Sequence, residues 1–367
     1  MRGLARTLPP FRADMVGSLL RTAPLKAARL QVAAGELSAD ALRAVEDREI
    51  EKIVRKQEQI GLQAVTDGEF RRSQWHFDFY WGLQGIDRVQ RSIQFKDIET
   101  GSDNVRVTGR VSFDGHPMLD HFRFLQTTTK HTAKMTIPSP SVLHFRTGRE
   151  EISQAVYPDL DQFFADLAQT YKDAMQAFYD AGCRYLQLDD TIFAHLCDPE
   201  QREQLKAKGT DPDALAHTYT ATINKALANR PADLRVTTHS CRGNYRSSWF
   251  SQGGYEPIAD ILFNETNVDG YFLEYDTDRA GGFEPLRFLP KDKLVVLGLI
   301  TTKTGTIETR DDVLRRIDEA TRYADLEQLC LSPQCGFAST EEGNLLAEEE
   351  QWQKLALIVQ IADEVWG

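Results

Sequence analysis

The sequence predicts an α/β fold, a (βα)8 TIM barrel with a β-hairpin insertion after the second strand, on three observations. Short runs rich in Val, Ile and Leu recur along the chain, eight in all. Amphipathic stretches lie between several of them, and strand alternating with helix is the pattern of parallel βαβ units. Each run stops abruptly at polar residues, which a barrel would gather at the carboxyl ends of its strands.

Taken in order, the first run is FRADMVGS (11–18), ending at Ser18, and the second is LQAVTDGE (62–69), ending at Asp67 and Glu69. The stretch IQFKDIETGSDNVRVTGRVSFDGH then alternates polar and apolar residues and carries turn glycines. It predicts the hairpin insertion, over about 86–132, before the third run AKMTIPSP (133–140). DLDQFFADLAQTYKDAMQAFYDAG has apolar residues at helical spacing and ends in glycine, as a helix should. RYLQLDD (184–190), LRVTTHSC (234–241), GYFLEYD (270–276) and LVVLGLIT (294–301) follow. RDDVLRRIDEATRYADL reads as a second helix and leads to the last run, EQLCLSPQCG (327–336). There is no low-complexity tract, short repeat or Gly/Ser linker, so residues 1–367 are read as a single catalytic barrel domain.

Composition narrows the function. The chain is 41% hydrophobic over 367 residues, enough to bury a full core, and its net charge is −12. That charge argues against a broad basic face for nucleic acid or an anionic membrane. No apolar run is long enough to span a bilayer. MRGLARTLPPFRAD has two early arginines but no apolar segment, a poor secretory signal. The expectation is a cytoplasmic chain, where clustered Cys and His read as metal or catalysis rather than a disulfide framework.

The residues that end the runs carry the chemistry. His239 and Cys241 lie two apart, and Cys335 lies 94 residues beyond Cys241. No local zinc finger has that spacing, but strand ends of one barrel would bring the three together. With a carboxylate they make a plausible tetrahedral zinc set of nitrogen, sulfur and oxygen. Glu274, ending an apolar strand, is the preferred carboxylate; Glu265, after what looks like a helix tail, is the alternative. Cys183 and Cys330 read as small core residues, and Cys197 as a residue near the mouth. His76 and His195 could also approach it. Asp67 and Asp190 are expected to cap helices or support the site.

VGSLLR, TDGEFRR, YLQLDD, THSC, FLEYD and SPQCGF together resemble the catalytic domain of cobalamin-independent methionine synthase, most closely its shorter single-domain relatives. The ordered set spans nearly the whole chain and is far more specific than any one motif. The resemblance implies a (βα)8 barrel whose Zn2+ binds homocysteine sulfur, with His239, Cys241, Glu274 and Cys335 as metal ligands. It implies that Ser18, Glu69 and Asp189 hold the amino and carboxyl groups of homocysteine. A thiol near neutral pH is mostly protonated and the thiolate is the nucleophile, so a metal that deprotonates it supplies the attacking group.

The chain departs from the folate-dependent enzymes in three ways. It has no room for their additional amino-terminal barrel. PSPSVLHFR offers His144 and Phe145 where those enzymes stack a tryptophan on the pterin, and LGLITTKT puts Thr302 and Lys303 where they carry a catalytic histidine. The expected activity is therefore zinc-dependent methylation of homocysteine to methionine, with a methylcorrinoid protein or methyl folate as donor. The alternative is zinc-dependent alkyl transfer to another thiol or from another alkyl donor.

Overall fold

The computed structural model describes residues 4–90 and 103–367. Seven strands form one parallel sheet: β1 (Ala64–Val65), β4 (Thr132–Pro138), β5 (Tyr185–Asp190), β6 (Arg235–Ser240), β7 (Gly270–Glu274), β8 (Leu294–Ile300) and β9 (Leu329–Pro333), hydrogen-bonded in that order. Between β1 and β4 in the chain, β2 (Gln84–Gln90) and β3 (Asp103–Ser112) pair antiparallel as a separate two-stranded sheet. From β5 onward nearly every strand residue is buried, because the parallel sheet is covered on both faces and tolerates no polar alternation.

The helices cover the sheet through one apolar stripe each. Leu160–Asp180 buries Phe163, Phe164, Leu167, Tyr171, Ala174 and Phe178, a spacing of three and four, and Asp159 caps it by accepting from Asp161 N. Arg310–Ala320 buries Val313 and Ile317 on the same rule. No helix among the described residues is long and apolar enough to cross a membrane.

The first expected strand, 11–18, forms only a single bridge, Ala13 to Leu331 of β9, with Asp14 N donating to Leu331 O at 3.0 Å. On its other side Leu19 N donates to Gly68 O, and Thr66 Oγ1 donates to Gly17 O at 2.6 Å. The second, 62–69, is reduced to two ladder residues. Side chains replace the missing ladder bonds: Gln57 brackets Thr66, donating to its carbonyl and accepting from its N–H, both at 2.9 Å.

The insertion differs from the expected 86–132 hairpin. The two strands are present, and residues 91–102 lie outside the described residues. The last part of the insertion, however, is a helix, Pro117–Thr128. His116 caps it, Pro117 suits its first turn, and Met118, Phe122 and Leu125 form its buried face.

A buried ion pair ties the first segment to the sheet. Lys134 Nζ, on β4, lies 3.1 Å from Asp14 Oδ1, and Tyr185 Oη donates to Asp14 Oδ2 at 2.8 Å. Phe272 closes over the ammonium, 4.1 Å from ring centre to nitrogen. Burial pushes the Lys134 ammonium below the usual lysine range, against the pull of Asp14.

Candidate active site

His239 sits on β6, and Cys241 is the first residue beyond that strand. Glu274 ends β7, and Cys335 follows β9 by two residues. One candidate donor atom from each of the four lies within 4.8 Å of all the others, and all four residues are buried. The sulfurs of Cys241 and Cys335 are 3.4 Å apart. Glu274 is held from behind: Arg242 N donates to its Oε1 at 3.0 Å, and Arg279 Nη2 lies 3.4 Å from its Oε2. Glu265 is elsewhere, on the surface, paired with His217 at 2.9 Å. Of the two carboxylates the sequence leaves open, Glu274 is the one that stands beside His239, Cys241 and Cys335.

The cluster fits a metal ion. Neither ring nitrogen of His239 has a hydrogen-bond partner, although the residue is 2% exposed. A buried imidazole without partners is costly unless something else takes its lone pair. The N, O and two S donors match the ligand preferences of zinc. Cys335 is held well below the usual thiol range by the hydrogen bond from Cys241, against burial, whereas that same contact and burial push Cys241 up.

The same cavity is lined by Ser18, Glu69 and Asp189, so the residues singled out at five strand ends share one pocket. Glu69 has a left-handed backbone, φ 59°, directly after Gly68 at 66°, and Asp67 Oδ1 accepts from its N–H at 2.8 Å. This turn aims the carboxylate inward. Its Oε1 accepts from Thr136 at 2.8 Å and lies 3.4 Å from Arg72, while Oε2 is buried without a partner. Burial raises the Glu69 carboxyl above its ordinary range, against Arg72 and Arg21. Asp189 accepts from Gln187 at 2.7 Å. Burial pushes it up to about 7, with His239 opposing and Glu69 reinforcing the shift.

Ser18 accepts from Ala338 N at 3.3 Å. A Cβ on Gly336 would lie 2.0 Å from Ser18 Oγ, so only glycine lets the loop after β9 approach that hydroxyl. Asp190 caps the short helix that follows it, accepting from Ile192 and Phe193 N–H groups, and Ser141 donates to its other oxygen.

Lys303 reaches the rim of the cluster, where its ammonium donates to Gly243 O at 3.0 Å and Asn244 Oδ1 at 3.2 Å. Thr302 binds Gln334 and Asn344 instead. His144 pairs with Tyr219 at 2.7 Å beside a second cavity, and Phe145 packs edge-on against His195. Cys183, Cys197 and Cys330 are buried, none of them in the metal-competent cluster. Sequence reasoning missed Arg146, Asn244 and Tyr245, which also line the pocket. They come from loops and a helix after the strands, where only the three-dimensional fold brings them to the mouth.

The family model for cobalamin-independent synthase, catalytic domain, matches residues 11–364. The chain is 52% identical to Uncharacterized protein YxjH of Bacillus subtilis, covering 97% of this chain and 95% of that protein. It is 42% identical to a structure described as a candidate vitamin-B12-independent methionine synthase from Listeria monocytogenes, covering 99% of this chain and 100% of that one, with a TM-score of 0.80. A B12-independent methionine synthase from Shewanella, solved in complex with selenomethionine, shares the fold at 19% identity and a TM-score of 0.72, covering 96% and 97% of the two chains. A Bacillus cereus 5-methyltetrahydropteroyltriglutamate–homocysteine methyltransferase is 21% identical over 93% of this chain, which spans 42% of that enzyme's length. The chain belongs to the family of cobalamin-independent synthase catalytic domains, whose members are methyltransferases of the methionine synthase type.

Proposed function

We propose that the protein methylates the sulfur of homocysteine to give methionine, with His239, Cys241, Glu274 and Cys335 holding Zn2+. The observation that carries this is a metal-competent N, S, S, O cluster of which His239, Cys241 and Cys335 line one cavity with Ser18, Glu69 and Asp189. When bound, zinc would favour the thiolate form of a coordinated thiol at neutral pH. Glu69 and Asp189 face the ammonium of the acceptor, and Ser18 with the neighbouring backbone amides faces its carboxylate. A cation bound beside Asp189 favours its charged form, so the acceptor ammonium draws this carboxyl down from about 7. Arg242 and Arg279 orient Glu274, and Asp190 fixes the turn after β5.

We read segment 11–18 as the eighth stave of a (βα)8 barrel, its bonds to β9 on one side and to Gly68 and Thr66 on the other supporting a closed ring. The whole chain then acts as one catalytic domain with the hairpin as its insertion. A reducing compartment such as the cytoplasm suits two sulfurs 3.4 Å apart that must remain unbonded to serve as ligands. The donor is a methylcorrinoid protein or a methyl folate. Lys303 is tied to Gly243 and Asn244, which favours a donor that needs no acid at that position.

Zinc content and methionine formation, measured together, test the reading. Glu274→Gln should lose most of its zinc and its activity, and Glu265→Gln should keep both. Full zinc occupancy in Cys241→Ser and Cys335→Ser would sink the ligand assignment. Methylation of small thiols without any preference for homocysteine would favour the alternative, alkyl transfer to another acceptor.

A further inference from the structure

Two donors in the cavity are not among the residues assigned above to the acceptor. Arg146, near the end of the helix Pro140–Thr147, lines both this cavity and the larger one beside it. Its Nε is buried without a hydrogen-bond partner, and no carboxylate is among the groups that act on its guanidinium. His76 is 4% exposed, and neither of its ring nitrogens has a partner. Trp75 and Phe77 stack on it, with ring centres at 4.4 and 3.8 Å, so the imidazole is fixed in place. Burial and the neighbouring guanidinium hold His76 well below its ordinary range, so it is neutral and offers one N–H beside the positive charge of Arg146.

Each acid of the cavity already has a partner on one oxygen, although Glu69 Oε2 has none. Glu69 is paired with Arg72 and Thr136, and Asp189 accepts from Gln187. A half-buried cation with a buried Nε, and a buried N–H donor on the same cavity wall, are completed by an anion. The second cavity supplies the direction from which it comes. Its wall includes the stacked pair His195 and Phe250, with ring centres 5.3 Å apart, and Arg149 and Lys208 are set against Glu150 and Asp211, so that Arg146 leaves the lining net positive.

We propose that Arg146 and His76 form an anion-binding subsite that holds a carboxylate or phosphate group of the methyl donor, which enters through the larger cavity. This rests on the methyl-transfer reading above. It assigns the donor a class: a molecule with a negatively charged group near its transferable methyl, rather than a neutral or purely cationic one.

The test uses inorganic phosphate and acetate as probes on the zinc-loaded protein, with and without saturating homocysteine. Calorimetry compares the wild type with Arg146→Gln, Arg146→Lys and His76→Phe, after circular dichroism and zinc content confirm that each variant is folded. At least one probe should bind the wild type whether or not homocysteine is present, and the tighter one distinguishes phosphoryl from carboxylate. Arg146→Gln should weaken it by about tenfold or more, since a charge-assisted bond is lost, and Arg146→Lys should retain part of the affinity. His76→Phe should weaken it less, and homocysteine affinity should stay within about threefold in every variant. Equal probe binding by the wild type and Arg146→Gln overturns the proposal. So does displacement of the probe by homocysteine together with loss of homocysteine affinity in Arg146→Gln, which would give Arg146 to the acceptor. If homocysteine fails to bind while the probe binds through Arg146, the acceptor reading fails and the subsite stands.

Discussion

Each site residue depends on a neighbour that aims it. Asp189 is placed by its position at the end of β5 and by the amide of Gln187. Asp189→Asn keeps that shape and removes the charge. A charge-assisted hydrogen bond is worth about 1.5–3 kcal/mol, so homocysteine affinity should fall roughly ten- to a hundredfold. A thiol without an amino group, measured in the same titration, should be nearly indifferent. Equal losses for the two thiols would instead assign Asp189 to support of His239. The convergence of Ser18, Glu69, Asp189, His239, Cys241, Glu274 and Cys335 on one end of the sheet was legible in the sequence because each follows an apolar run, and parallel strands direct such residues to one end. Arg146 and His76 were not legible as a pair. One lies on a helix after β4 and the other in the loop after β1, and no spacing rule connects them.

At the scale of elements, the strands that carry the metal-competent cluster were read to within a few residues, because strands buried on both faces are continuous apolar runs bounded by polar ones. The helix Pro117–Thr128 was absorbed into the hairpin although its signals were present: a proline at its start and apolar residues at 118, 122 and 125. The alternation just before it carried the reading too far. The helix Leu160–Asp180 is the better test of packing. Phe178 is fully buried on it and meets Phe122 edge-on at 6.3 Å. Phe178→Ala should cost about 3–5 kcal/mol in denaturant unfolding, with an unchanged slope against denaturant. Turnover of the folded variant at low temperature should stay near that of the wild type, since Phe178 does not line the cavity.

Across the whole molecule, acid should be a specific threat. Burial, reinforced by Arg146, pushes His195 down to about 3 from 6.5. The unfolded chain therefore takes up this proton more readily than the folded one. The stabilising contribution is complete above the unfolded value and is lost as pH falls from 6.5 toward 3, of the order of 3–5 kcal/mol in full. His195→Phe keeps the aromatic contacts with Phe145 and Phe250, so its Tm should decline less than that of the wild type between about pH 7 and about pH 4. An identical decline would clear His195 as the acid-sensitive group. A different weakness follows from how the sheet meets the first segment. From β4 to β9 the strands are joined by backbone bonds, which no substitution short of proline removes. At β1 and segment 11–18 the joint is written largely in side chains, Gln57, Thr66 and Arg21 among them. Ser18 and Glu69 stand on this joint, whereas His239 and Glu274 stand on the ladder. The wall that carries Ser18 and Glu69 is thus the part of the ring freer to breathe, while the cysteine and histidine wall is locked. Amide hydrogen exchange should show it directly: protons at 13–19 and 64–69 exchanging faster than those of β5 to β8, and slowing when homocysteine bridges the two walls.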